Sequence, residues 1–143
     1  MSETVIQVTS LGKRIKGKTI LEDISFEINQ GDCVALIGPN GAGKTVLMSC
    51  ILGDKKPSSG QVLIDGKAGK AKNKIAVLLQ ENTIPNSLKV EELIAFFQSI
   101  SDNPLTNQEV QELLQFKEDQ YQQFADKLSG GQRRLLAFVL CLI

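Results

Sequence analysis

Gly38-Pro39-Asn40-Gly41-Ala42-Gly43-Lys44-Thr45 fits the pattern G-x-x-x-x-G-K-[ST] of a phosphate-binding loop. Its flanks suit the motif. Cys33-Val34-Ala35-Leu36-Ile37 is a short apolar run that predicts a buried strand. Val46 to Leu52 predicts a helix, with Gly53 as its C-cap. Each residue type has a physical reason. A loop wrapped round a dense anion must turn several backbone N–H groups inward, and Gly38, Gly41 and Gly43 allow that approach. The new helix adds unpaired N–H groups and the positive end of its dipole. Lys44 offers a mobile point charge to β- and γ-phosphates. The Thr45 hydroxyl suits Mg²⁺, which prefers oxygen ligands.

The 143 residues suffice for one domain with a core, and the composition is that of an ordinary soluble protein. Lysine plus arginine equal aspartate plus glutamate at 16 each, so no overall charge draws the chain to nucleic acid or acidic lipid. Cys33, Cys50 and Cys141 all lie in apolar runs and read as small buried hydrophobes in a reducing compartment. No C-x-x-C spacing suggests a metal site. The N-terminus has no signal-peptide pattern, and the longest apolar run, Leu135 to Ile143, is too short to span a bilayer. Histidine, the commonest general base, is absent from the sequence.

From the N-terminus, Val5 to Val8 predicts a strand, Leu11 to Lys18 a glycine- and lysine-rich connection, and Ile24 to Ile28 a half-buried strand. After the loop helix, Lys55 to Gly60 is a turn, Gln61 to Ile64 a strand, and Asp65-Gly66 a hairpin signal. Lys67, Lys70, Lys72 and Lys74 read as a solvated loop, since no aromatic residues interleave them. Ile75 to Leu79 fits a central parallel strand, which ends on Gln80 where open α/β sheets place ligands. Val90, Leu93, Ile94 and Phe97 follow the i, i+3, i+4, i+7 pattern of an amphipathic helix. Phe96 and Phe97 must point different ways, one into the core. Thr106 to Glu109 is a capping box opening a helix with Val110, Leu113 and Leu114. Phe116 to Lys127 is loop or short helix. Ser129 is an N-cap, and Gly130 and Gly131 expose backbone N–H groups at the start of an apolar helix. That helix has no C-terminal cap or polar tail, so the sequence is expected to be part of a longer chain.

Three motifs now stand in order: GPNGAGKT at 38–45, a strand ending in Gln80, and LSGGQ at 128–132. Together they resemble the ATP-binding cassette of ABC transporters over nearly the whole chain. The resemblance implies an α/β fold: a P-loop NTPase core, an N-terminal antiparallel β-subdomain and an inserted α-helical subdomain, C-terminally incomplete. It divides the chain into about 1–85 for the β-subdomain and core, about 86–127 for the helical subdomain, and 128–143 for the signature motif and its helix. It implies that Gly38, Pro39, Asn40, Gly41, Ala42, Gly43, Lys44 and Thr45 hold ATP, with Val46 adding a backbone N–H. Lys44 and Gln80 would be catalytic, and Thr45 and Gln80 would serve Mg²⁺. Ser129, Gly130, Gly131 and Gln132 would bind the ATP of a second, identical or different, cassette. The implied function is an ATPase subunit on the cytoplasmic face of the membrane, driving transport through a separate transmembrane permease. Nucleic acid is not an expected partner. The alternatives are a soluble ABC protein of translation or repair, or a truncated, non-catalytic nucleotide-binding module.

The chain departs from the family in two ways. Where the family usually stacks an aromatic residue on adenine, the alignment of Leu11 to Leu21 places Ile15. That forgoes roughly 1–3 kcal/mol of stacking and leaves base selectivity modest. The Walker B aspartate, the following glutamate and the switch histidine come after LSGGQ in the family, beyond Ile143. The 143 residues alone are therefore expected to bind nucleotide weakly and not to turn it over.

Overall fold

The computed structural model describes residues 3–68, 75–79 and 84–143, and its contacts divide the chain into two compact units, 1–75 and 76–143. Among the described residues the first unit is a four-stranded antiparallel sheet carrying one helix. Strands β1 (Thr4–Ile15), β2 (Lys18–Asn29), β3 (Ser59–Ile64) and β4 (Lys67–Ala68) lie in the order β2-β1-β3-β4. Helix α1 (Lys44–Leu52) follows the loop and ends on Gly53 in the left-handed conformation. Its Leu47 and Cys50, one turn apart, pack with Val8, Leu11 and Leu21 of the sheet. That burial holds the start of the helix, and hence the loop, against β2.

The segment expected as a connection, Leu11 to Lys18, is instead the end of β1, a turn, and the start of β2. Lys16 (φ 50) and Gly17 (φ 77) make a two-residue turn with both angles positive, which matches the twist of the strands it joins. The hairpin escaped the alternation pattern because its strands are bulged. β1 carries an extra residue between Thr4 and Ile6 and another between Val8 and Leu11, and β2 carries one near Asp23 and one near Ile20, which returns the count. Gly60 is required at the β1 crossing. It has φ 72, and a Cβ there would lie 2.2 Å from the Ser10 carbonyl oxygen. Asp65 and Gly66 turn the chain from β3 to β4 as expected.

Two expected strands are absent from the sheet. Residues 33–37 and 75–79 carry no strand pairing, and Val34, Leu36 and Ile37 are 58, 47 and 89 % exposed. A strand needs a neighbour to satisfy its N–H and C=O groups, and none of the described residues pairs with either run. The apolar composition that predicts burial therefore leaves these side chains open. Cys33 is exposed for the same reason, against the expectation that all three cysteines are buried. Cys50 is buried, which pushes its thiol pKa up against the opposing pull of Lys13 and Lys55. Cys141 is half-buried, its S–H 3.5 Å from the Val77 carbonyl. Lys70, Lys72 and Lys74 lie outside the described residues.

The second unit is helical: α2 (Val90–Ile100), α3 (Asn107–Leu114), α4 (Glu118–Tyr121), a 3₁₀ turn Ala125–Lys127, and α5 (Gly130–Leu142). Val90, Leu93 and Ile94 of α2 meet Val110 and Leu114 of α3 and Leu136, Val139 and Leu140 of α5 in one core. Phe97 joins that core while Phe96 is 55 % exposed. The entries to α2 and to the 3₁₀ turn are tied together. Val90 N–H donates to Gln123 C=O and Ala125 N–H to Leu88 C=O, both at 3.0 Å. Among the described residues no helix is long and apolar enough to cross a membrane.

The α3 capping box forms. Thr106 N–H donates to Glu109 Oε2 at 2.8 Å, and Glu109 N–H donates to Thr106 Oγ1 at 3.3 Å. The Thr106 backbone and side-chain hydrogen bonds hold the Glu109 carboxyl below the usual glutamate range. A lowered folded pKa gives stability that is present above the unfolded value and lost as pH falls through the folded one. Glu109→Gln is expected to lower stability at neutral pH and to close that gap as pH falls below the ordinary glutamate pKa. Urea melts of both forms across acid pH read this directly.

Candidate phosphate-binding site

The loop leaves β2's side of the core and enters α1 through Gly43, whose φ of 96 places it in the left-handed region. A Cβ at Gly43 would lie 3.0 Å from Leu21 Cδ2, 3.2 Å from Ile20 Cγ2 and 3.3 Å from the Ile20 carbonyl oxygen. Glycine therefore meets two demands here, the backbone angle and the close approach of β2. The bulge at Ile20 has a local consequence. Adjacent strand residues normally face opposite ways, yet Ile20 and Leu21 both reach Gly43.

Inside the loop, Ala42 N–H donates to the Pro39 carbonyl at 3.2 Å and closes a turn. Lys44 Nζ donates to the carbonyls of Gly38 and Pro39, the latter at 2.9 Å. The ammonium is thus fixed over the loop that its own helix begins. The first helical bond runs from Leu47 N–H to Gly43 C=O at 2.9 Å. The N–H groups of Gly43, Lys44, Thr45 and Val46 have no backbone or side-chain acceptor among the described residues. Glycine as N-cap offers no side-chain oxygen to them. Four orphan donors, a helix N-terminus and one ammonium lie together where the loop becomes helix, an arrangement whose electrostatics suit a polyphosphate. Thr45 is exposed and its hydroxyl has no partner among the described residues. Ile15 is half-buried at the last rung of the hairpin, opposite Lys18. Gln80 lies outside the described residues.

In the helical unit, Ser129 caps α5. Gln132 N–H donates to Ser129 Oγ at 3.2 Å, and Ser129 N–H donates to Gln132 Oε1 at 3.1 Å. Leu128 is buried beneath the cap, while Gly130 and Gly131 are exposed. A Cβ at either glycine would meet nothing within 4 Å. Internal packing gives no reason for two glycines here. The α5 helix behind them is anchored by Leu136, Val139 and Leu140, at i, i+3 and i+4.

Ile20 and Leu21 are site residues that sequence reasoning missed. The available signal was the Lys16-Gly17 turn, which extends the hairpin and brings β2 alongside the loop. Among the described residues no group of three or more carboxylate, thiol or imidazole side chains could hold a metal by itself.

The sequence profile of the ABC transporter family matches residues 21–143. The methionine import ATP-binding protein MetN of Legionella pneumophila (strain Paris) is 35% identical over 151 aligned positions, covering 96% of this chain and 44% of MetN. The petrobactin import ATP-binding protein YclP of Bacillus subtilis (strain 168) is 32% identical, covering 95% of this chain and 60% of YclP. The chain thus spans about half the length of these relatives. Among solved structures, cbiO1 of Clostridium perfringens, part of the transporter complex cbiONQ, superposes with a TM-score of 0.81 at 23% identity. The match covers 98% of this chain and 61% of cbiO1. An ATP-binding subunit of an ABC transporter gives a TM-score of 0.79 at 24% identity, covering 96% of this chain and 61% of that one. At such identities these two show a shared fold.

Proposed function

The chain belongs to the ABC transporter family, and we propose that it is the ATP-binding part of a transporter's ATPase subunit. The observation that carries this reading is the loop geometry: Lys44 held over Gly38 and Pro39, beside the orphan N–H groups of Gly43 to Val46. Gly38, Pro39, Asn40, Gly41, Ala42 and Gly43 wrap the β- and γ-phosphates, and Lys44 neutralises them. The α-phosphate sits nearer the N–H groups of Thr45 and Val46. Ile15 packs on one face of the base. Mg²⁺ fits the Thr45 hydroxyl, because this ion keeps several waters and needs only one or two protein ligands besides phosphate. When bound it neutralises charge that develops between the β- and γ-phosphates. Gln80 is proposed as its second protein ligand and as the group that positions the attacking water.

Ser129, Gly130, Gly131 and Gln132 are proposed to meet the γ-phosphate held by a second cassette. The open space above both glycines supports this, since a phosphate can approach the backbone there without displacing a side chain. Ser129→Ala is expected to cost about 1 kcal/mol through the lost cap. It should also abolish ATP-dependent pairing of cassettes, read by sedimentation. A purely structural cap would leave pairing intact once the fold is restored by lower temperature.

The permease is the proposed partner, reached through the helical unit on the cytoplasmic face of the membrane. Isolation of the tagged protein from its own cells tests this. The expected result is co-isolation of a protein with several membrane spans. Recovery with ribosomes or DNA and no membrane protein contradicts it.

A further inference from the structure

The geometry points to Arg134 as a positioning residue for Gln80. Its guanidinium fastens the Leu79 carbonyl to α5, and through that carbonyl it orients the peptide that leads into Gln80. The inference rests on the reading of Gln80 as a ligand of Mg²⁺.

Arg134 Nη1 donates to the Leu79 carbonyl at 2.7 Å. The bond joins residues 55 apart in sequence and lies wholly within the second unit. A charged donor makes such a bond about twice as strong as a neutral one. Two turns further along α5, the Cys141 S–H stands 3.5 Å from the Val77 carbonyl, a weaker contact. Residues seven apart lie on one side of a helix, and carbonyls two residues apart are those that an extended chain turns to one edge. The order is reversed, Leu79 with Arg134 and Val77 with Cys141. The run therefore passes antiparallel along one side of α5.

These two contacts carry the attachment. Residues 75–79 have no strand pairing, and among the described residues no other hydrogen bond reaches Val77 or Leu79. The Leu79 side chain is 61 % exposed, so its burial does not hold the run in place. The support on the other side is firm. Leu136, Val139 and Leu140 fix α5 in the helical core, and Ser129 caps its first turn, five residues before Arg134.

The Leu79 carbonyl shares one planar peptide unit with the Gln80 nitrogen. A guanidinium that holds this oxygen sets the plane from which the chain enters Gln80. Groups that orient a metal ligand change metal affinity without touching the ion, commonly by tenfold or more. Arg134 acts in this way, at one remove from nucleotide and metal. A bond that only stabilised the surface would instead lower stability and leave metal binding alone.

Calorimetric titration of the chain with ATP, once in excess Mg²⁺ and once in excess EDTA, tests this. The quantity read is the gain in affinity that Mg²⁺ gives. Arg134→Met removes the donors while keeping an apolar stem and a similar helix propensity. It is expected to cut the gain by about five- to tenfold and to leave affinity in EDTA within about twofold. Arg134→Lys restores one charged donor and is expected to recover part of the gain. Gln80→Ala is expected to cut the gain at least as far as Arg134→Met does. The double variant should lose no more than Gln80→Ala alone, because both changes act on one ligand. An Arg134→Met protein with a lower melting temperature and an intact gain overturns the inference, as does a double variant whose losses multiply. A full gain in Gln80→Ala, or no gain in the unaltered chain, overturns the reading of Gln80 and the inference with it.

Discussion

Lys44→Ala is expected to weaken ATP binding to this chain by about 30- to 100-fold, the equivalent of about 2–3 kcal/mol for charge-assisted hydrogen bonds to phosphate. The ammonium has two roles in the structure. It donates to the Gly38 and Pro39 carbonyls, which holds the loop's shape. It also stands as the one full positive charge among the loop residues 38–45. Alanine removes both. The orphan N–H groups of Gly43 to Val46 remain, so binding weakens without vanishing. Thermal stability should move little, because the lost bonds lie at the edge of the fold and the core of Val8, Leu11, Leu21, Leu47 and Cys50 is untouched. Lys44→Arg is not a conservative control, since a planar fork cannot replace a compact point charge in a closed loop. Calorimetry gives the affinity and a thermal melt the stability of each form.

Gly43→Val is expected to lower the stability of the first unit by about 3 kcal/mol and to remove ATP binding as well. Two costs add. A β-branched residue is strained at φ 96, and its Cβ enters the van der Waals space of Leu21 and Ile20. The Ile20 carbonyl is backbone and belongs to a bulged strand, so it cannot swing aside as a side-chain tip does. Relief requires α1 to move away from β2, which carries the Lys44 ammonium out of register with its carbonyls. A lowered denaturation midpoint together with lost binding separates this variant from Lys44→Ala, which affects binding alone.

What the sequence shows of this molecule is what local chemistry controls. The loop, helix α1 with its Gly53 cap, the Thr106 and Ser129 capping boxes, and the α2 core face all rest on interactions within a few residues. The fold class follows from their order. The hairpin is harder to read because four register shifts interrupt the two-residue period, and its Lys16-Gly17 turn is hidden among neighbouring lysines. The runs at 33–37 and 75–79 mislead for another reason. Apolar composition reports what a segment prefers to be buried against, while pairing depends on residues far away in the chain. Val34, Leu36 and Ile37 have the composition of a central strand and the exposure of a free edge. Ile20 and Leu21 entered the site through the same non-local route, by a bulge that composition does not announce.

Amide chemical-shift mapping of the labelled chain during ATP titration shows whether the backbone of Gly38 to Val46 cradles a triphosphate. Saturable shifts are expected at Gly41, Gly43, Lys44, Thr45 and Val46, extending to Ile20 and Leu21 across the Gly43 contact and much reduced in Lys44→Ala. Saturable shifts confined to other residues, or none at these amides up to saturating ATP, would contradict it.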